Sequence, residues 1–115
     1  MHEYSIVGAL VDQVSQQAVL HRGAKVRRLH VQIGELSGVD VGLLQTAYDT
    51  FRPRTVCDAA EMDVELVPAL WECPRCQRAF AAGERLRCAA CERPARLMRG
   101  DEIVLSRIEM EVPDV

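Results

Sequence analysis

The sequence predicts an α+β fold, in which a small three-stranded sheet is covered by two helices and interrupted by an inserted four-cysteine lobe. Three observations predict it. Apolar residues recur at helical spacing near residue 10 and again near residue 45, and three other stretches alternate at strand spacing. Before the last of these stretches, Cys73, Cys76, Cys88 and Cys91 form two C-x-x-C pairs separated by eleven residues. With 115 residues, 49% of them apolar, there is chain enough for one compact core and a metal-stapled lobe but not for two large domains.

Residues Glu3 to about Ala18 carry Ile6, Val7, Leu10, Val11 and Val14 on one helical stripe, with Asp12, Gln13, Gln16 and Gln17 opposite. His21, Arg22 and Gly23 end this helix, with Gly23 as a left-handed stop. From Lys25 to Ile33 the pattern becomes alternation: Leu29, Val31 and Ile33 on one face, Arg28, His30 and Gln32 on the other, and Val26 out of phase. Gly34, Ser37 and Gly38 mark a turn. Asp40 then stands as N-cap to a second helix built on Val41, Leu44, Ala47, Tyr48 and Phe51, which Pro53 stops. Met62, Val64 and Leu66 define a second strand closed by Pro68. After the cysteine lobe, Val104, Ser106, Ile108, Met110 and Val112 alternate with Leu105, Arg107, Glu109 and Glu111 as a third. Because the second and third strands flank the insertion, they are expected to pair as arms of an extended hairpin. The expected units are residues 1–68 with 101–115, and residues 69–100, hinged at 69–71 and 99–101.

A C-x-x-C turn sets two sulfurs on one side of a tight hairpin, and two facing turns complete an all-sulfur tetrahedral site of the zinc-ribbon kind. Structural zinc is the reading, with tetrahedral iron or a redox dithiol pair as alternatives. Gln77 and Glu92 stand directly after the second cysteine of each pair, where a rubredoxin-like iron site favours glycine. A saturated four-cysteine site has no open position for water, so this metal is not expected to be catalytic. Cys57 is left over and reads as a small core hydrophobe. Unpaired cysteine usage of this kind, with no basic leader and no apolar run of membrane length, predicts a reducing cytoplasm.

The net charge of −3 hides an asymmetry, since residues 71–100 hold seven arginines against Glu72, Glu84 and Glu92 and the remainder carries −7. Four thiolates and a divalent cation leave the lobe near +2, so the two lobes are expected to meet different surfaces. A solvated basic face that offsets the thiolate charge reads equally well. There is no phosphate-binding G-x-x-x-x-G-K-[ST], no H-E-x-x-H and no nucleophile with base and orienter, so no enzyme is expected.

The chain begins Met1-His2-Glu3. A bulky residue at position 2 disfavours removal of the initiator methionine. The Met1 amine, the His2 amide and the His2 Nδ1 can then close adjacent chelate rings around a metal that accepts square-planar nitrogen ligation, such as Ni(II) or Cu(II), with Glu3 adding charge or a ligand. Amine and imidazole both take up protons near neutrality, so such a site would release metal as pH falls. Judged on the residues alone, a solvated chain end fits the same tripeptide.

Met1-His2-Glu3-Tyr4-Ser5, the Ile33-Gly34-Glu35-Leu36-Ser37-Gly38-Val39 turn and the two knuckles, in this order, closely resemble the HypA/HybF family of nickel metallochaperones, over essentially the whole chain. The resemblance implies a nickel-binding helix and sheet lobe with His2 as main ligand and the Met1 amine and Glu3 beside it. It implies structural zinc at Cys73, Cys76, Cys88 and Cys91. It further implies insertion of nickel into the large subunit of [NiFe]-hydrogenase together with a HypB-type GTPase, and in some relatives service to urease maturation. One departure is Cys88-Ala89-Ala90-Cys91, where many relatives place proline after the first cysteine.

Two other functions compete: a zinc-ribbon nucleic-acid-binding module, suggested by the arginines, and a protein-docking adaptor with an inert amino terminus. The acidic remainder would repel phosphate, and Trp71 and Phe80 are the only stacking platforms in the lobe. Asp40 near nickel, His21 and His30 as ligands and Trp71 on a base are each weaker readings than an N-cap, solvent-exposed imidazoles and an indole that packs the lobe junction.

Overall fold

The computed structural model describes residues 2–81 and 83–113. Helix α1 (His2–Leu20) is followed by strand β1 (Lys25–Gly34), helix α2 (Val41–Phe51) and strand β2 (Glu61–Val67). Five short strands carry the cysteine lobe: β3 (Leu70–Glu72), β4 (Ala79–Ala81), β5 (Arg87–Cys88), β6 (Arg93–Pro94) and β7 (Arg96–Arg99). Strand β8 (Ile103–Glu111) closes the fold. The described residues thus bear out the two helices and the three-stranded sheet.

The stripe on α1 faces inward, with Val7, Leu10, Val11, Val14 and Ala18 buried and Ile6 packed against them. Its end is a Schellman turn: the Gly23 N–H bonds to the Ala18 carbonyl at 2.8 Å and the Arg22 N–H to the Val19 carbonyl at 3.2 Å. The residue that takes the first left-handed position is Arg22 (φ 64°), one before the expected Gly23 (φ 69°). On α2, Asp40 accepts the Leu43 N–H at 3.0 Å and caps the helix, while Leu44, Ala47 and Tyr48 face the core. The Tyr48 hydroxyl donates to the Ala60 carbonyl at 2.7 Å.

The sheet order is β2-β1-β8, which corrects the expected hairpin of second and third strands. β1 is central, pairing parallel with β2 from Arg28↔Glu61 to Gly34↔Val67 and antiparallel with β8. It contributes Val26, Leu29, Val31 and Ile33 to the core, all at most 1% exposed, so flanking it on both edges buries more than pairing its neighbours with each other. Helix α2 is the crossover that a parallel β1–β2 pair requires.

Two bulges explain the departures from alternation. One extra residue, Arg27, separates Val26 and Arg28 opposite β8, and turns Val26 into the same core as Leu29. A second, at Ser106, lies between the pairs His30↔Arg107 and Val31↔Leu105. It brings Leu105 inward with Ile108 and Met110, whereas Val104, expected on their face, stays exposed. The Ser106 hydroxyl fills the break by donating to the His30 carbonyl at 3.0 Å.

Candidate metal centre

The chain enters and leaves the cysteine lobe beside the Gly34–Gly38 turn. Glu35 N–H bonds to the Val67 carbonyl at 2.8 Å, Leu36 N–H to the Gly100 carbonyl at 2.6 Å and Gly34 N–H to the Glu102 carbonyl at 2.8 Å. The Glu35 carboxylate accepts the Ala69 N–H at 2.7 Å. The backbones interlock closely: a Cβ on Gly34 would lie 2.3 Å from the Gly100 carbonyl, and one on Gly100 would lie 2.4 Å from Ala69 Cα. The glycine-rich turn thus ties both ends of the lobe to the sheet.

Within the lobe, β3 pairs with β4 and β7, and β5 with β6. The first knuckle is the β3–β4 hairpin, closed by the Cys73 N–H to the Arg78 carbonyl at 2.9 Å and the Gln77 N–H to the Cys73 carbonyl at 3.0 Å. The second is the β5–β6 hairpin, where Cys88 stands opposite Arg93. Gln77 (φ 65°) and Glu92 (φ 51°) both take the left-handed conformation. The knuckles therefore use the turn that glycine would ease, with side chains that strain it.

The four sulfurs of Cys73, Cys76, Cys88 and Cys91 lie within 4.8 Å of one another, and Cys76 Sγ is 3.6 Å from Cys88 Sγ. A tetrahedron of sulfurs about 2.3 Å from a central ion has edges of about 3.8 Å, so the donor set fits one thiophilic cation. Cys73 and Cys88 are buried under Phe80, Trp71 and Ala95, so Trp71 packs inside the cysteine lobe, whereas the expectation places it at the junction. The Cys76 and Arg75 N–H groups, aimed at the Cys73 sulfur, lower its pKa to about 6. The Cys91 and Ala90 N–H groups lower that of Cys88 in the same way, and with Ala89 after it Cys88 still brings its sulfur into the cluster. Burial and the three neighbouring sulfurs push Cys91 up to about 12. Four thiolates cannot share this space without a compensating cation, and a bound dication would hold all four deprotonated.

Met1 lies outside the described residues, as does the side chain of His2. Glu3 is half-buried in the first turn of α1. Asp40 is engaged as an N-cap. Cys57 is fully buried in the main core, where burial raises its pKa. His21 is exposed and its Nδ1–H donates to the Gln17 carbonyl at 2.8 Å. His30 departs from the solvent-exposed expectation. Its Nε2 lies 2.5 Å from Glu109 Oε2 and its Nδ1 3.9 Å from Asp63 Oδ2, joining all three strands on the polar face of the sheet. Sequence reasoning missed this cluster because Asp63 on β2 and Glu109 on β8 lie far from His30 along the chain and meet it only across the sheet.

Residues 1–110 match the family model for hydrogenase/urease nickel incorporation, metallochaperone, hypA. The chain belongs to the HypA family. It is 40% identical over 113 residues to the hydrogenase maturation factor HypA of Shewanella baltica (strain OS223), covering 96% of this chain and 97% of that one. It is 35% identical over 117 residues to the HypA of Wolinella succinogenes, covering 99% and 98%. Among solved structures, the solution structure of the Ni metallochaperone HypA from Helicobacter pylori superposes with a TM-score of 0.72 at 30% identity, covering 96% of this chain and 98% of that one. A second HypA solution structure gives 0.78 at 32% identity, covering 96% of each. HypA proteins are nickel-incorporation metallochaperones of hydrogenase maturation. The resemblance carried by the terminal pentapeptide, the glycine turn and the knuckles is thus borne out at the level of the family, and no described helix is long and apolar enough to cross a membrane.

Proposed function

We propose that this HypA-family chain binds Ni(II) at its amino terminus and hands it to the large-subunit precursor of [NiFe]-hydrogenase in the cytoplasm. His2 is the main ligand, with the Met1 amine and Glu3 beside it. A HypB-type GTPase supplies the nucleotide-driven step, for which this sequence has no phosphate loop. Urease maturation is a second outlet, since the family description names urease with hydrogenase. The observation that carries the reading is the nickel-incorporation family match, which begins at residue 1 and so includes Met1-His2-Glu3.

Zinc is the proposed resident metal of Cys73, Cys76, Cys88 and Cys91. Zn(II) would supply a closed tetrahedral clamp in place of a second hydrophobic core, because the cluster of buried residues around it is, among the described residues, Phe80 with Cys73 and Cys88. The donor sets divide the labour: four thiolates retain a soft ion permanently, whereas amine, imidazole and carboxylate exchange. Residues 1–68 and 101–115 form the proposed nickel-binding domain, and 69–100 the zinc domain.

Hydrogenase activity in cells lacking their own HypA, complemented with this chain, tests the proposal. His2→Ala is expected to abolish maturation while leaving expression and zinc content unchanged. Full maturation by that variant would assign the protein to docking alone.

A further inference from the structure

Half of the chain's basic side chains sit in residues 71–100, as seven arginines and no lysine. Their surroundings differ from those of four arginines on the helix and sheet side, where Arg22 and Arg54 are the others outside an ion pair among the described residues. There, Arg27 pairs with Glu111, Arg28 with Glu61 and Asp63, Arg52 with Asp49 and Arg107 with Glu109. In the cysteine lobe no arginine forms an ion pair among the described residues. Arg78 covers the Phe80 ring at 5.4 Å, and Arg87 donates to the Glu92 carbonyl at 2.7 Å. Arg75, Arg85, Arg93, Arg96 and Arg99 are exposed and make no side-chain hydrogen bond among the described residues.

Three of the seven cluster on the second knuckle. Arg87 lies on β5 and Arg93 on β6, directly opposite Cys88. Arg85 and Arg87 line a concavity of about 470 Å³ with Cys88, Ala89 and Glu92. Guanidinium forks suit paired carboxylate oxygens, and Arg87 is already oriented by its bond to the Glu92 carbonyl. We propose that this knuckle is a docking surface for an acidic protein surface, that of the nickel acceptor, whose carboxylates seat against Arg85 and Arg87. The inference rests on the carrier reading only for the acceptor's identity.

Charge complementarity orients the encounter. The remainder of the chain carries −7, whereas the zinc-loaded lobe stays positive, near +2, so an acidic partner is repelled by one lobe and drawn to the other, and it meets the chain knuckle first. The same guanidinium groups would take phosphate. A nucleic acid fits less well, because Phe80 is buried and Trp71 packs on the lobe core, which removes both stacking platforms, while the −7 remainder repels a polyanion.

The test measures binding of the zinc-loaded full chain to purified [NiFe]-hydrogenase large-subunit precursor, at roughly 50 and 300 mM salt. Arg85→Glu/Arg87→Glu is compared with Arg22→Glu/Arg54→Glu, which changes net charge equally on exposed arginines outside the lobe. The knuckle variant is expected to weaken binding about tenfold or more at low salt and to flatten the salt dependence, with the other variant near wild type. Equal effects of the two variants, no salt dependence, or salt-sensitive binding to duplex DNA or to a second copy of the chain in place of the precursor would each overturn it. Zinc content and nickel uptake of the knuckle variant, both expected to be unchanged, keep its failure separate from that of the carrier reading.

Discussion

Gly34→Ala is expected to damage the protein far more than its size suggests, and Gly8→Ala to do the opposite. A Cβ on Gly34 falls 2.3 Å from both the carbon and the oxygen of the Gly100 carbonyl and 2.7 Å from Asp101 N. Contact at ordinary van der Waals separation requires Gly100 to retreat by about 1 Å. Gly100 carries the 2.6 Å bond to the Leu36 N–H, which such a shift stretches beyond bonding range. Overpacking costs about 1–3 kcal/mol and the lost hydrogen bond about 1 kcal/mol more, together about 2–4 kcal/mol. For a domain of this size that lowers Tm by about 8–16 °C. Gly8, in the interior of α1, has nothing within 4 Å of a new Cβ, so alanine there stabilises by about 0.5–1 kcal/mol. Thermal unfolding followed by circular dichroism on zinc-loaded protein measures both. A Gly34→Ala melting point within about 2 °C of wild type, a shift worth well under 1 kcal/mol, would refute the interlocked junction.

Three further outcomes follow from the same contacts. Cys73→Ser is expected to lose zinc by elemental analysis and to unfold the lobe while the far-ultraviolet signal of α1 and α2 persists, since their core shares no residue with the cysteine cluster. The hydrogen bond from His30 holds the Glu109 carboxyl below the usual carboxylate range. Its stabilisation is present above the unfolded-state value of about 4.3 and is lost as pH falls through the lowered native value. Glu109→Gln should therefore flatten the acid limb of a stability-versus-pH curve measured by denaturant unfolding. Burial pushes the Tyr48 phenol above its ordinary value, so the stability it contributes is present below about pH 10 and declines above it. Tyr48→Phe should remove part of that alkaline loss and cost about 1 kcal/mol at neutral pH.

What was legible in the sequence is what local chemistry determines. The α1 stripe, the Asp40 cap, the Pro53 stop and the two knuckles each depend on residues a few positions apart, and each is found where the pattern places it. The parallel β1–β2 pairing was not legible, because it depends on which strand buries most, a competition among distant segments. Bulges at Arg27 and Ser106 were hidden for a related reason. Each adds a residue to one strand only, so a single sequence shows merely a broken alternation, as at Val26. The His30–Glu109–Asp63 cluster exists only once three strands are registered side by side. Conversely, the glycines of the 34–38 turn were visible, but their role in fastening the cysteine lobe emerges only from the approach of Gly100 and Ala69.

The central claim concerns the amino terminus, and calorimetric titration of Ni(II) into zinc-loaded protein with its native Met1 tests it most directly, run beside His2→Ala with metal content checked by elemental analysis. Nickel uptake beyond the zinc in the wild type, lost in His2→Ala with zinc unchanged, is the expected result. Equal nickel uptake by both proteins, or none by either while zinc is retained, contradicts an amino-terminal carrier site.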